Sequence, residues 1–320
     1  MRLPSLRTAL RSAAVLAVAA LGATALAPAA TARPAPAGQS LSVSAHFGVK
    51  PLRAGGAPAA TRAATGSTLT VRSSRSTGVV SPNPRVYLVF WGSQWSSDPA
   101  GVAADLQSMF RGLYGAQDTW GTILTQYCEG VPKGTSTCGS SGVHVTHPAA
   151  APLAGVWFDN AAAAPSKATA SQLAGEAAAA AAHFGNTTQT PNLNAQYVVV
   201  SPTGTHPDGF PNTGFCAWHD KTSSSYGTLA YTNLPYIPDL GAGACTTLTD
   251  GRLLSGIEST ETHEYAETVT DFWPSIGWNG SGGEIGDECE NMDAYVPLST
   301  GTFDLQGLWS NSAGACVTQG

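Results

Sequence analysis

The string His263-Glu264-Tyr265-Ala266-Glu267 joins an imidazole to two carboxylates at a spacing that suits one face of a helix. With His263 at zero and about 100° per residue, Glu267 falls near 40°, Asp271 near 80° and Glu264 near 100°. Tyr265, Ala266, Val269, Phe272 and Trp273 fall on the opposite side. Carboxylates converging in this way repel one another and raise their pKa values, a penalty that a bound cation removes. Two ligands four residues apart on a helix bind zinc in H-E-x-x-H enzymes, and the Glu after the first ligand is the general base. Here Glu267 stands in the second ligand position and Glu264 in the base position.

Further ligands must come from elsewhere in the chain. The turn-rich Trp278-Asn279-Gly280-Ser281-Gly282-Gly283 can fold the chain back and deliver Glu284-Ile285-Gly286-Asp287-Glu288-Cys289 to the helix. Glu284 lies 17 residues beyond Glu267, a separation like that of zincins whose third ligand is Glu. The ten-residue spacing of metzincins would need a ligand at Trp273, which cannot serve. Glu284 or Asp287 is therefore expected to complete the set, with His219 in Phe215-Cys216-Ala217-Trp218-His219-Asp220 as the other candidate. His46 lies in the segment read as disordered, and His144, His147, His183 and His206 stand apart from the acid-rich stretch at 258–290 and read as structural or surface groups.

Seven of the nine Glu fall between Glu258 and Glu290, so the acids are concentrated where the string lies. Glu258 and Glu261 sit in the first turns of the helix and suit its dipole, and Ser255 with Glu258 forms a capping-box pattern. The leading expectation is a metal-dependent hydrolase, most simply a zinc peptidase, acting on an extracellular polypeptide or cell-wall substrate. A different class is a non-catalytic cell-wall or carbohydrate-binding module stabilised by calcium. Glu267, Asp271, Glu284, Asp287 and Glu288 supply oxygen for such a hard cation, and 8 Trp and 9 Tyr could stack on sugars, although no EF-hand spacing is present. A serine hydrolase lacks its G-x-S-x-G elbow.

The elements that must position these residues follow from periodicity. Arg85 to Trp91 is a β-branched and aromatic run ended by Gly92, as in a buried strand. Asp98 to Leu113 reads as a helix with Val102, Leu106, Met109, Phe110 and Leu113 on one face. Val143 to Thr146, Gly155 to Phe158, Gln196 to Ser201 and Gly227 to Thr232 read as strands, and Ser166 to Phe184 as an Ala-rich helix before Gly185. The helix at 255–272 carries the chemistry and stops at Pro274. Alternating strands and helices predict an α/β fold, a single layered domain at 80–320 with a mixed sheet and a disulfide-stapled C-terminal tail.

Composition bounds the setting. In 320 residues, charged side chains are only 11%, well under the globular norm of about 25%. Arg2, Arg7 and Arg11, the apolar run Ala13 to Leu26 and Ala30-Thr31-Ala32 form a signal peptide over 1–32. Without it, 12 Lys and Arg face 21 acids, a balance of −9 that disfavours nucleic acid and anionic membrane as partners. No later stretch is long and apolar enough to span a bilayer, and a secreted, extracellular monomer is expected. Residues 33–79, rich in Ala, Pro, Ser, Thr and Gly and free of acids, read as a disordered linker or propeptide. Six Cys in an oxidising compartment predict disulfides, most simply Cys128 with Cys138, Cys216 with Cys245 and Cys289 with Cys316.

The string Thr262-His263-Glu264-Tyr265-Ala266-Glu267-Thr268-Val269-Thr270-Asp271, then Gly277-Trp278 and Glu284 to Cys289, resembles a group of secreted bacterial proteins. Those carry H-E-x-x-E, T-D-P, G-W and E-I-G-D-x-C in this order. More distantly the chain is similar to plant phosphate-induced, EXORDIUM-like cell-wall proteins. The strand from Val86 to Gly92 and the Phe215 to His219 segment match other landmarks of the group, and the resemblance covers about residues 84 to 316. It implies an extracellular protein with a zincin-like metal site. Phe272 departs from the group's pattern, which has Pro after Thr-Asp.

Overall fold

Six strands form one mixed sheet: β1 (Phe47–Pro51), β2 (Arg85–Trp91), β3 (Leu153–Asp159), β4 (Ala195–Val200), β5 (Phe215–Ser224) and β6 (Gly227–Leu234). Their spatial order is β1-β5-β6-β4-β2-β3. In this computed structural model, residues 47–52, 67–147 and 150–320 are described. The signal segment 1–32 and His46 lie outside them. The three parallel pairings, β6 with β4, β4 with β2 and β2 with β3, lie together. Every residue of β4 is buried, as the continuous apolar run Tyr197-Val198-Val199-Val200 requires of a central parallel strand. β5 and β6 form an antiparallel hairpin, and β1 adds antiparallel to the other edge of β5.

Three helices follow from local signals. The Asp98 carboxylate accepts from Val102 N (3.0 Å) and Ala103 N (2.9 Å), which starts α1 (Val102–Gly112) with the expected apolar face buried. A reciprocal capping box, Thr169 with Gln172, starts α2 (Ala170–His183), whose Leu173, Ala174, Ala177, Ala180 and Ala181 pack inward against β4 and β6. Helix α3 (Ser255–Thr270) packs on β5 and on β8 of the hairpin β7 (Asp293–Leu298) and β8 (Gly301–Gln306).

α3 differs from its expected amphipathic form. All sixteen residues are buried, the acids as completely as Ile257, Tyr265, Ala266 and Val269. Its start differs too. Leu254 is the N-cap and makes no side-chain cap, because Ser255 Oγ meets Tyr295 Oη at 3.0 Å. Glu258 is drawn instead to Arg252 Nη2 (2.9 Å) and Asp304 N (2.6 Å), so it ties the helix to β8 and does not close a capping box.

Order begins upstream of the expected boundary at 80. Within 33–79, β1 joins the sheet, Thr70–Val71 pairs with Trp278–Asn279, and Leu69, Val71 and Val79 are buried. Val79 O accepts from Phe272 N at 3.0 Å and Gly78 O from Trp273 N at 3.1 Å. Proline at 272 would lack the first of these donors, which gives the departure at Phe272 a physical sense. Residues 33–46 and 53–66 lie outside the described residues.

All three disulfides pair as expected. Cys216–Cys245 fixes the start of β5, and Cys289–Cys316 fixes the turn after Asp287, so two of them flank candidate ligands. No helix among the described residues is long and apolar enough to cross a membrane.

Asp271 closes α3 and organises the loop at 275–279. Its carboxylate accepts from Ser275 N (2.9 Å), Ile276 N (3.1 Å), Gly277 N (2.6 Å) and Asn279 Nδ2 (2.9 Å). At about 1 kcal/mol net per hydrogen bond, Asp271→Ala is expected to cost roughly 3–4 kcal/mol. Urea denaturation of the secreted chain measures it. An effect below about 1 kcal/mol would show that the loop holds its shape without this anchor.

Candidate metal centre

Three elements meet at the polar side of α3. β5 contributes His219, α3 contributes His263, Glu264 and Glu267, and the segment after Gly283 contributes Glu284 and Asp287. Glu267 is the hub. Its Oε1 lies 3.2 Å from His263 Nε2 and its Oε2 lies 3.4 Å from His219 Nε2. Glu284 Oε2 lies 3.2 Å from His219 Nε2, and Asp287 Oδ1 lies 3.8 Å from His263 Nε2. Two donor groups result, His263 with Glu267 and Asp287, and His219 with Glu264 and Glu267, each with its ligand atoms within 4.8 Å of one another.

All five sequence-predicted ligands, His263, Glu267, Glu284, Asp287 and His219, are thus brought together. Both downstream candidates converge, Glu284 on His219 and Asp287 on His263. Asp271 is in neither donor group: its oxygens accept from the loop at 275–279, and its carboxyl also bonds the side chain of Glu284. His144 bonds Thr125 O and Gly139 O, and His183 stacks on Trp157 at 4.3 Å, both structural as expected. His147 does have an acidic neighbour, Asp118 Oδ2 at 3.7 Å, supplied by the fold from distant sequence.

Orientation of the donors comes from residues that the sequence did not single out. Gln306 on β8 places Oε1 3.1 Å from His263 Nδ1 and donates through Nε2 to Gly286 O at 2.8 Å. It directs the other ring nitrogen of His263 at Glu267, the kind of outer support that metal-bound histidines use. Asp287 N donates to Glu267 Oε1 (3.1 Å), and Glu284 N donates to Asp287 Oδ2 (3.0 Å). Gly286 must be glycine: a Cβ there would lie 2.6 Å from His263 Nδ1 and 2.9 Å from Glu267 Oε1. Nothing in the alternation of β8 marks Gln306 in advance, whereas the Gly in Glu284-Ile285-Gly286-Asp287 hinted at a close approach.

The electrostatics are those of buried carboxyls and imidazoles that share protons. Burial opposes charge on His263, but Glu267 outweighs it and lifts the imidazole to about 9. His219 rises likewise against burial, through Glu284 and Glu267. Glu267 is pulled down to about 2 by His263 and His219, although burial acts upward. Desolvation pushes Glu284 and Glu264 well up, and desolvation with Glu267 raises Asp287 to about 7. Glu261, fully buried, is raised by desolvation, and neither of its oxygens has a hydrogen-bond partner among the described residues.

The donor set fits a small divalent ion. Tetrahedral ligands at about 2.0–2.1 Å from zinc stand about 3.3 Å apart, close to the contacts of 3.2, 3.4 and 3.2 Å around Glu267 and His219. Glu264 Oε2 is buried without a hydrogen-bond partner among the described residues, whereas His263 Nε2 and Glu267 Oε2 are engaged in the imidazole–carboxylate contacts above. Buried polar atoms are normally satisfied, so this carboxylate oxygen is open to a ligand. No family model, curated protein or solved structure matches the chain.

Two outcomes are expected. Gly286→Ala displaces His263 and Glu267, and zinc affinity in competition with a chromophoric chelator falls at least about tenfold, the scale of lost outer-shell support. The second concerns pH. Asp287 rises from 3.8 to about 7 and His263 from 6.5 to about 9, so the folded ion-free chain holds more protons than the unfolded chain across that window. Its stability therefore falls as pH rises from 3.8 to about 9, while Glu267, lowered from 4.5 to about 2, acts in the opposite sense below 4.5. Melting temperatures in chelator should fall from about pH 5 to about pH 9, and stabilisation by added zinc should grow over the same range as donors lose protons.

Proposed function

We propose that the chain is a secreted metal-dependent hydrolase, with zinc as the ion and a peptide bond as the target. The observation that carries this reading is Glu267 shared between His263 and His219, with the buried Glu264 carboxylate beside them and its Oε2 without a partner among the described residues. His263 and Glu267 with Asp287 would hold the ion and leave a fourth position open, while His219 and Glu284 would hold Glu267 from its other side. When bound, zinc would supply a Lewis acid and acidify a water at its open position. Glu264, which desolvation keeps neutral in the ion-free chain, would be ionised by the charge of a bound cation, and its carboxylate could then accept that water's proton and pass it to the departing amine. Gln306 and Gly286 keep the imidazole of His263 aimed at Glu267 during the reaction. The disulfides and the signal pattern of residues 1–32 support an extracellular place of action.

One observation favours a second reading, a non-catalytic module with a structural calcium. His263, Glu264 and Glu267 are wholly inaccessible, and the cluster reaches solvent mainly through the Asp287 side chain, 19% exposed. Two nitrogen donors weigh against calcium, which takes oxygen ligands.

Glu264→Gln separates these readings. It is expected to retain about one zinc by elemental analysis while casein cleavage falls at least about a hundredfold, as for loss of a general base. Cleavage equal to that of the parent would sink the mechanism, and calcium as the sole bound metal would favour the module.

A further inference from the structure

Strand β1 runs between the three elements that carry the candidate ligands. It pairs with β5, which holds His219, and packs against α3, which holds Glu264, and against the turn Asp287–Cys289. Its register sets Phe47 opposite His219 and Lys50 opposite Ala217, with irregularities between Phe47 and Val49 and between Lys50 and Pro51. Those breaks separate β1 from the regular β5–β6 hairpin, whose seven pairs run without a shift. An added strand of this kind is how an extended peptide commonly docks on a sheet edge.

Lys50 anchors the strand. Its side chain is 4% exposed, its ammonium hydrogen-bonds Ser259 Oγ and lies 3.7 Å from Asp293 Oδ1, and Ser259 in turn donates to Asp293. The Asp304 carboxyl of β8 also feels the Lys50 charge. A buried ammonium is costly without such partners, so this acidic recess is built for a basic side chain. The backbone is equally placed. Lys50 N donates to Glu264 Oε1 at 3.4 Å, so the amide nitrogen of the Val49–Lys50 bond faces the proposed proton carrier.

We propose that β1 lies in the substrate groove, that the substrate is an extended polypeptide pairing with β5, and that the cleaved bond is the one preceding a lysine seated against Ser259 and Asp293. Residues 47–51 then close the site until displaced. The cleavage half of this assignment rests on the hydrolase reading above; the groove and its lysine recess do not. In the reaction, a water oxygen bonds to the carbonyl carbon while the carbon–nitrogen bond breaks. Glu264 takes a proton from the water and gives it to the α-nitrogen of the lysine as that nitrogen leaves, so the preceding residue ends as a carboxylic acid and the lysine gains a free amino group.

The test uses the full secreted chain with zinc, its Lys50→Ala and Lys50→Gln variants, and labelled peptides of sequence FGVKPL or FGVEPL. Weakening the resident strand is expected to raise cleavage of lysine-containing substrates at least about tenfold, with a new amino terminus at the lysine by mass spectrometry. FGVKPL should bind either variant at least about tenfold more tightly than FGVEPL by fluorescence anisotropy. Lysine-dependent binding without any cleavage would retain the groove and overturn the hydrolase. Cleavage of casein without lysine preference, or no binding of FGVKPL, would overturn the groove and leave the hydrolase standing. Failure of both variants to fold would make β1 an integral strand and overturn the proposal.

Discussion

Everything about the C-terminal half depends on the burial of an acidic helix. Placing Glu258, Glu261, Glu264, Glu267 and Asp271 out of water would be prohibitive if each remained an uncompensated anion. Each is answered differently. Arg252 and a backbone amide satisfy Glu258, the loop at 275–279 satisfies Asp271, and two imidazoles hold Glu267 ionised. In the ion-free chain Glu261 and Glu264 are answered by desolvation itself, which raises both and favours their neutral forms. The same acids would be repulsive in any fold that failed to bring His219 and His263 to them.

That requirement explains the surroundings of α3. His219 must arrive on a strand, and Cys216–Cys245 anchors the strand three residues before it. Asp287 must arrive on a tight turn, and Cys289–Cys316 holds that turn two residues after it. The backbone between Glu284 and Asp287 passes so near His263 that only glycine fits at 286. Loss of water from the site then strengthens every charge interaction within it, which is also what a hydrolytic site needs.

Much of this was legible beforehand because its signals are local. The buried strands Arg85–Trp91 and Ala195–Val200, the Ala-rich helix and the nearest-neighbour disulfides emerged within a residue or a few of their expected places. The five donors were legible for a related reason: their residue types and spacing are rare, and no packing detail is needed to notice them. The pairing of His219 with Glu267 and the aim of Gln306 at His263 depend on strand pairings between residues far apart in sequence. The capping box failed because Glu258 met stronger partners, Arg252 and the amide of Asp304, than the local one.

The segment before residue 80 shows why composition misled. Low hydrophobicity argues that a chain cannot fold alone, yet a strand needs no core of its own when it borrows hydrogen-bonding partners from a sheet edge. β1 gains its place from β5 backbone, from the Glu264 carboxylate and from a single buried ammonium at Ser259 and Asp293. None of those contacts depends on apolar content, so no hydropathy argument could have found them. An edge occupied through main-chain bonds and one charged anchor is also an edge at which another extended chain could pair. The features that hid β1 in the sequence are therefore the features that suit it to stand where another chain could stand.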